Sequence, residues 1–323
     1  ARRKVDCRMH RPDGPHRSPC PRASLLRAIV PPLAALACLA ACAGDPGSEA
    51  GGSGGQEGAS EEPPPGQDER AIVAVSILPI AGIVDALLPP ESARISVLVP
   101  AGASPHSFEP GIGQLKQVQS ATVVLEVGHP ALVWERGWLE GLLSGTEAVR
   151  VRLAEGCDVI EDDPHVWLDP GCLQIMAERA AGALITAFPE RSGEMRTRLD
   201  SLRTRIRDAE AEIRDRLADR RGRSFLVQHP AWGYFARVFE MEQISILSHG
   251  SSDRGSARLA AVIDRAKREN LHIVIVQPQV NPEAAQVVAR EIGAEIRQVD
   301  PMARSPLEAL ESITLAVLDA TAP

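Results

Sequence analysis

Residues 190–221 (ERSGEMRTRLDSLRTRIRDAEAEIRDRLADRR) limit the fold more than any other segment of the chain. Leu199, Leu202, Ile206, Ala209, Ile213 and Leu217 recur at steps of three and four, which predicts one long helix with a single apolar stripe. At 1.5 Å per residue, about 30 residues span roughly 45 Å, longer than an ordinary domain helix. The stripe alone would suit a coiled-coil arm. Its flanks favour a rigid connecting spine, because on both sides short β-branched runs alternate with helical ones.

Before the spine, strands are expected at 71–77, 94–99 and 122–127, with helices over about 80–88 and 112–118. A further helix runs from Asp169-Pro170 toward Phe188, with Asp169 as its cap and Pro at its first position. After the spine, strands are expected at 225–227, 243–247, 272–276 and 295–299, and helices at 232–239, 255–269, 282–292 and 306–319. The expected fold class is α/β, with two lobes, each a mostly parallel sheet flanked by helices, joined by one long rigid helix. The expected bounds are 71–188 for the first lobe, 189–222 for the connecting helix and 223–323 for the second lobe. In open sheets of this kind ligands gather at the carboxyl ends of the strands.

Charge is distributed unevenly. Of the 35 basic and 43 acidic side chains, residues 1–41 hold eight basic and two acidic ones, so the remainder carries a net −14. That acidity argues against a nucleic-acid partner, which needs a basic surface. From Met9, a basic stretch with Arg11, Arg17, Arg22 and Arg27 leads into the apolar run 29–41, the layout of a secretory signal. The run is shorter than the about 20 apolar residues of a spanning helix and is interrupted by Pro31-Pro32. It ends in Leu39-Ala40-Ala41-Cys42, which resembles the lipobox of bacterial lipoproteins, where the Cys is acylated and begins the mature protein. Residues 1–41 are thus expected to be a lipoprotein signal, and Cys42 a lipid anchor to the membrane. Residues 42–70, rich in Gly, Ser, Pro and acid, bury too little to offset ordering entropy and are expected to form a disordered tether. The expected location is extracytoplasmic, in the periplasm or on the outer face of the cell membrane.

Such a compartment permits disulfides. Cys7, Cys20 and Cys38 belong to the signal, which leaves Cys157 and Cys172 in the folded part. A bridge between them would close a loop of about 15 residues, worth up to roughly 3 kcal/mol. Two unpaired thiols suit the same spacing equally well.

Four candidate ligands stand at loops or strand ends. His106 lies in GASPHSFEP after the strand 94–99, and His165 in DPHVWLDP. His229 closes the first strand of the second half in VQHPAWGYF, and Asp300 closes the last strand in VDPM. These segments resemble those of the zinc- and manganese-binding solute-binding lipoproteins of bacterial ABC importers, the ZnuA/TroA-like group. The likeness runs from about residue 71 to the C-terminus, with the His106 and His165 motifs its most specific parts. In that group two α/β lobes share one long helix and the metal lies between them. The resemblance implies metal ligands at His106 and His165 from the first lobe and His229 and Asp300 from the second. It also implies a permease and its ATPase as partners, and no enzyme activity. A His at the third position goes with zinc members and a Glu with manganese ones, so His229 favours Zn²⁺, with Mn²⁺ or Fe²⁺ as the alternative. A monomer is expected.

The chemistry of the set points the same way. Three imidazoles and one carboxylate suit a borderline ion in four-coordinate geometry, whereas Mn²⁺ prefers more oxygens. Glu109, Asp169 and Gln228 are candidates for orienting the imidazoles, although Asp169 is better explained as a helix cap. His129, His249 and His272 are assigned no ligand role. Three departures from the group stand out. Only Glu161-Asp162-Asp163 precedes His165 where zinc members carry a long His- and acid-rich loop, residues 248–256 lack a Glu-Pro-Ser, and Gln277-Pro278-Gln279 replaces Glu-Pro-Gln. Two rival functions fit less well. A zinc hydrolase lacks an HExxH helix, and four protein ligands would leave no open position. A metal-independent adhesin would share the anchor and tether. Five of the ten aromatic residues, Phe108, Trp167, Trp232, Tyr234 and Phe235, lie within six positions of a proposed His ligand.

Overall fold

The computed structural model describes residues 70–321, apart from 144 and 249–254. The signal, Cys42, most of the tether and His249 therefore lie outside the described residues. Ala71–Val75 form β1, whose Val73, Ala74 and Val75 are fully buried, as expected of a strand covered on both faces. Helix α1 (Leu78–Leu87) follows at once, then β2 (Ala93–Val97), α2 (Ile112–Gln119) and β3 (Val123–Glu126). A π-helical turn at Glu135–Leu139 runs into the short α3 (Glu140–Leu143), and β4 (Val149–Arg152) completes the sheet in the order β2-β1-β3-β4, all parallel.

β4 lies outside the strands expected above. It reads Val-Arg-Val-Arg, with Val149 and Val151 packed on the core, and its arginines meet charge across the sheet. Arg150 makes two 3.1 Å hydrogen bonds to the Glu126 carboxylate on neighbouring β3, and Arg152 makes a third. Arg150 and Arg152 are two apart, hence on one face of the strand. They meet a carboxylate that is only 1% exposed.

Helix α4 (Pro170–Ala187) begins as its sequence implies, with the Asp169 carboxylate accepting from the backbone N–H groups of Gly171 and Cys172. The spine is α5 (Ser192–Arg216), extended by a 3₁₀ turn at each end, and its 25 residues reach roughly 37 Å. Met195, Leu202, Ile206 and Ile213 form the buried stripe, which packs on α4, α1 and α9 (Pro306–Ala320).

The second lobe repeats the plan with β5 (Ser224–Val227), α6 (Gly233–Val238), β6 (Glu242–Ser245), α7 (Ser256–Arg268), β7 (Ile273–Val276), α8 (Glu283–Ile292) and β8 (Glu295–Gln298). Its strands order as β6-β5-β7-β8, all parallel. This matches the order of the first lobe strand for strand, although the two halves show no sequence repeat. One apolar core runs through both lobes by way of α1, α4, α5 and α9, and a smaller cluster fills the far side of each sheet. The two-lobed α/β fold with parallel sheets on one long helix is as expected. Among the described residues no helix is long and apolar enough to cross a membrane.

Candidate metal centre

The carboxyl ends of the central strands carry the site. Gln228 is still in the second sheet, its N–H bonded to Ile275 and its carbonyl to Leu247, so His229 is the first residue to leave it. In the first lobe, His106 sits in the loop after β2, where the Ser104 hydroxyl accepts its backbone N–H at 3.3 Å. His165 directly precedes the 3₁₀ turn Val166–Leu168.

These three imidazoles converge. One nitrogen from each lies within 4.8 Å of the other two, and the ring centroids stand 5.1–5.7 Å apart. His165 and His229 are buried, whereas His106 is exposed at the rim. A tetrahedral zinc ion with Zn–N bonds of about 2.0 Å sets its nitrogens about 3.3 Å apart, so the three rings need to draw together only slightly to bind one.

Asp300 does not join this cluster. Its Oδ1 accepts from the Gln279 side chain at 2.7 Å and from the Met302 N–H at 2.8 Å. The Asp300 loop nonetheless abuts the His165 segment, because the Trp167 indole donates to the Pro301 carbonyl at 2.8 Å.

The carboxylate beside His165 is Asp163, rather than any of the three candidates for orienting an imidazole. Its Oδ1 lies 2.7 Å from His165 Nδ1 and also accepts the His165 backbone N–H at 3.0 Å. Both side chains are 2% exposed. An Asp two residues before a proposed ligand is the available signal, since Asp commonly bonds the backbone two positions on. Of the residues proposed for orienting roles, Glu109 is exposed, Asp169 caps α4 and bonds Arg237, and Gln228 donates to the Asn281 carbonyl. His129 is buried and accepts from the Ala131 N–H, while His272 is exposed beside the Asp319 carbonyl.

Helix α6 of the second lobe is tied to the loop that carries Asp163. The Ile160 N–H donates to the Tyr234 hydroxyl at 2.8 Å, and Arg237 bonds the Asp158 carbonyl and the Asp169 carboxylate. Burial pushes the Tyr234 phenol well above its ordinary value, so it stays protonated. Cys157 and Cys172 meet on the same seam as two free thiols, with Cys157 Sγ 3.9 Å from the Cys172 carbonyl oxygen.

Residues 73–314 match the family model described as ZnuA, zinc-uptake complex component A, periplasmic. The chain belongs to the ZnuA family. Members of this family are extracytoplasmic, metal-binding solute-binding proteins of bacterial ABC importers, and they are not enzymes. Among individual proteins, the chain is 23% identical over 236 residues to the zinc-binding protein AdcA of Streptococcus pyogenes, covering 64% of this chain and 46% of AdcA. The chain thus spans about half the length of that relative. It is 21% identical over 221 residues to the high-affinity zinc uptake system protein ZnuA of Bacillus subtilis, covering 62% of this chain and 69% of that one. A zinc-bound deletion mutant of ZnuA superposes with a TM-score of 0.72 at 27% identity, over 79% of this chain and 99% of its own. The periplasmic zinc-binding protein TroA of Treponema pallidum has the same fold, with a TM-score of 0.71 at 16% identity, over 79% of this chain and all of its own.

Proposed function

We propose that this member of the ZnuA family captures Zn²⁺ between its lobes and hands it to the membrane permease and ATPase of its importer. The observation that carries this reading is the convergence of His106, His165 and His229 from two lobes onto one point. Neutral imidazoles suit a borderline divalent ion, and three of them leave little of the oxygen character that Mn²⁺ favours. The proposed ligands are these three and Asp300, which reaches the ion once its loop shifts toward the imidazoles. Cys42 is proposed as the lipid anchor, with 42–70 as the tether that lets the lobes 71–188 and 223–323, joined through 189–222, reach the permease as a monomer.

The test is a Zn²⁺ titration of the purified chain in competition with a chromophoric chelator, repeated with equimolar Mn²⁺. One equivalent of Zn²⁺ should bind, Mn²⁺ should not displace it, and affinity should fall as pH drops and protons compete for the imidazoles. His165→Ala should abolish tight binding, and Asp300→Ala should weaken it less. A chain that takes up no Zn²⁺, or prefers Mn²⁺, overturns the zinc reading.

A further inference from the structure

We propose that Asp163 is a positioning residue that joins the orientation of His165 to the seating of the second lobe, and that position 233 is glycine to admit its carboxylate. The proposal deepens the zinc reading above and rests on the same cleft.

Each carboxylate oxygen has its own task. Oδ1 receives both the backbone N–H and the ring Nδ1 of His165. An ionised carboxylate only accepts, so this contact puts the ring proton on Nδ1 and leaves the Nε2 lone pair for a cation. Oδ2 points the other way, into the second lobe. A Cβ built on Gly233 would stand 2.5 Å from Asp163 Oδ2, closer than real Cβ contacts allow, and 3.6 Å from Ile160 Cδ1. Gly233 opens α6, four residues after His229.

The carboxylate is thus wedged between a proposed ligand of one lobe and the helix that follows a proposed ligand of the other. Its backbone is fixed as well: the Asp163 N–H donates to the Ile160 carbonyl, and the Ile160 N–H donates to Tyr234. A side chain at 233 would have to push the carboxylate, and with it the His165 ring, or else move α6 and His229. In both cases two imidazoles shift relative to each other, although residue 233 touches neither.

The experiment is a double-mutant cycle on Zn²⁺ affinity with Asp163→Ala, Gly233→Ala and the double variant in the full chain, together with long-range ¹H–¹⁵N NMR of the metal-free His165 ring. Each single variant should weaken Zn²⁺ binding by about 10–100-fold. In the Asp163→Ala background, Gly233→Ala should add almost nothing, because the group it displaces is gone. The wild-type ring should be protonated on Nδ1, and Asp163→Ala should mix the tautomers. Should Asp163→Ala fail to fold, Asp163→Ser, which also lacks the Oδ2 that Gly233 faces and keeps a small polar side chain, replaces it in both measurements. Wild-type affinity in Gly233→Ala, strictly additive penalties, or a wild-type ring protonated on Nε2 would each overturn the proposal. A wild-type chain that binds no Zn²⁺ refutes the zinc reading instead, and the tautomer measurement still decides this one.

Discussion

Trp167 donates its indole N–H to the carbonyl of Pro301 at 2.8 Å, which ties the residue two after His165 to the residue beside Asp300. The ring is fully buried and also stands edge-on to His165, with centroids 5.2 Å apart. Trp167→Phe keeps an aromatic ring but strands the Pro301 carbonyl and leaves a small void. Chemical denaturation of the metal-free protein should register a loss of about 2–4 kcal/mol. An unchanged midpoint would mean the contact holds nothing in place.

Gly82 lies on α1 where a Cβ would overlap the backbone carbonyl of Arg304. One turn along, the Arg304 guanidinium bonds the Asp85 carboxylate at 2.6 and 3.0 Å. On an isolated helix, Gly82→Ala would stabilise by about 1 kcal/mol. Here it should destabilise by about 2 kcal/mol or more, because backbone rather than a flexible side chain must yield. Thermal melts decide, and a raised melting temperature would contradict the close approach.

Glu135 is a carboxyl group 1% exposed that accepts from the N–H groups of Val127 and Gly128, at the carboxyl end of β3. Burial pushes its pKa from 4.5 to about 7, with the neighbouring Glu126 charge adding to the rise and the hydrogen bonds opposing it. The folded state therefore holds this proton more tightly than the unfolded chain. The associated stability is fully present below about pH 4.5 and is lost as pH rises through about 7, by about 3 kcal/mol. Denaturation midpoints of the metal-free protein from pH 4.5 to 8 should show this decline, and Glu135→Gln should remove it. Parallel curves for the two proteins would rule it out.

The Cys157 thiol stands against Cys172, with its Sγ 3.9 Å from the Cys172 carbonyl oxygen, and the interaction of the two side chains lowers the pKa of Cys157 and, with burial, raises that of Cys172. The thiolate is the nucleophile, and Cys157 is also the more exposed of the two. Brief iodoacetamide treatment of the reduced protein should alkylate Cys157 well before Cys172, as read by peptide mass spectrometry. Equal labelling would show that this contact does not set the two thiols apart in solution.

Much of this molecule was legible residue by residue. Strand and helix positions followed wherever apolar periodicity carried them, and the Asp169-Pro170 start of α4 followed from local capping chemistry. β4 does carry a two-residue alternation in Val149-Arg150-Val151-Arg152, but only over four residues, and the bonds of its arginines to the buried Glu126 are a cross-strand relation that leaves no local trace. Asp163 was half legible: its bond to His165 is a local two-residue relation, whereas its contact with Gly233 crosses between the lobes. Asp300 was rightly placed at the end of a strand, yet its neighbours Gln279 and Met302 hold its carboxylate outside the imidazole cluster.

By itself the sequence determined the alternation of elements, the long spine and the residue types at the strand ends, because these depend on periodicity and on contacts within a few positions. Only the tertiary structure decided that His106, His165 and His229 meet, that Asp163 rather than Glu109 or Gln228 contacts an imidazole, and that Cys157 comes against Cys172. The first outcome depends on how two independently formed sheets are seated on one helix, which no local pattern encodes, and the other two depend on the path of the loop before α4 inside the first lobe, which packing rather than periodicity fixes.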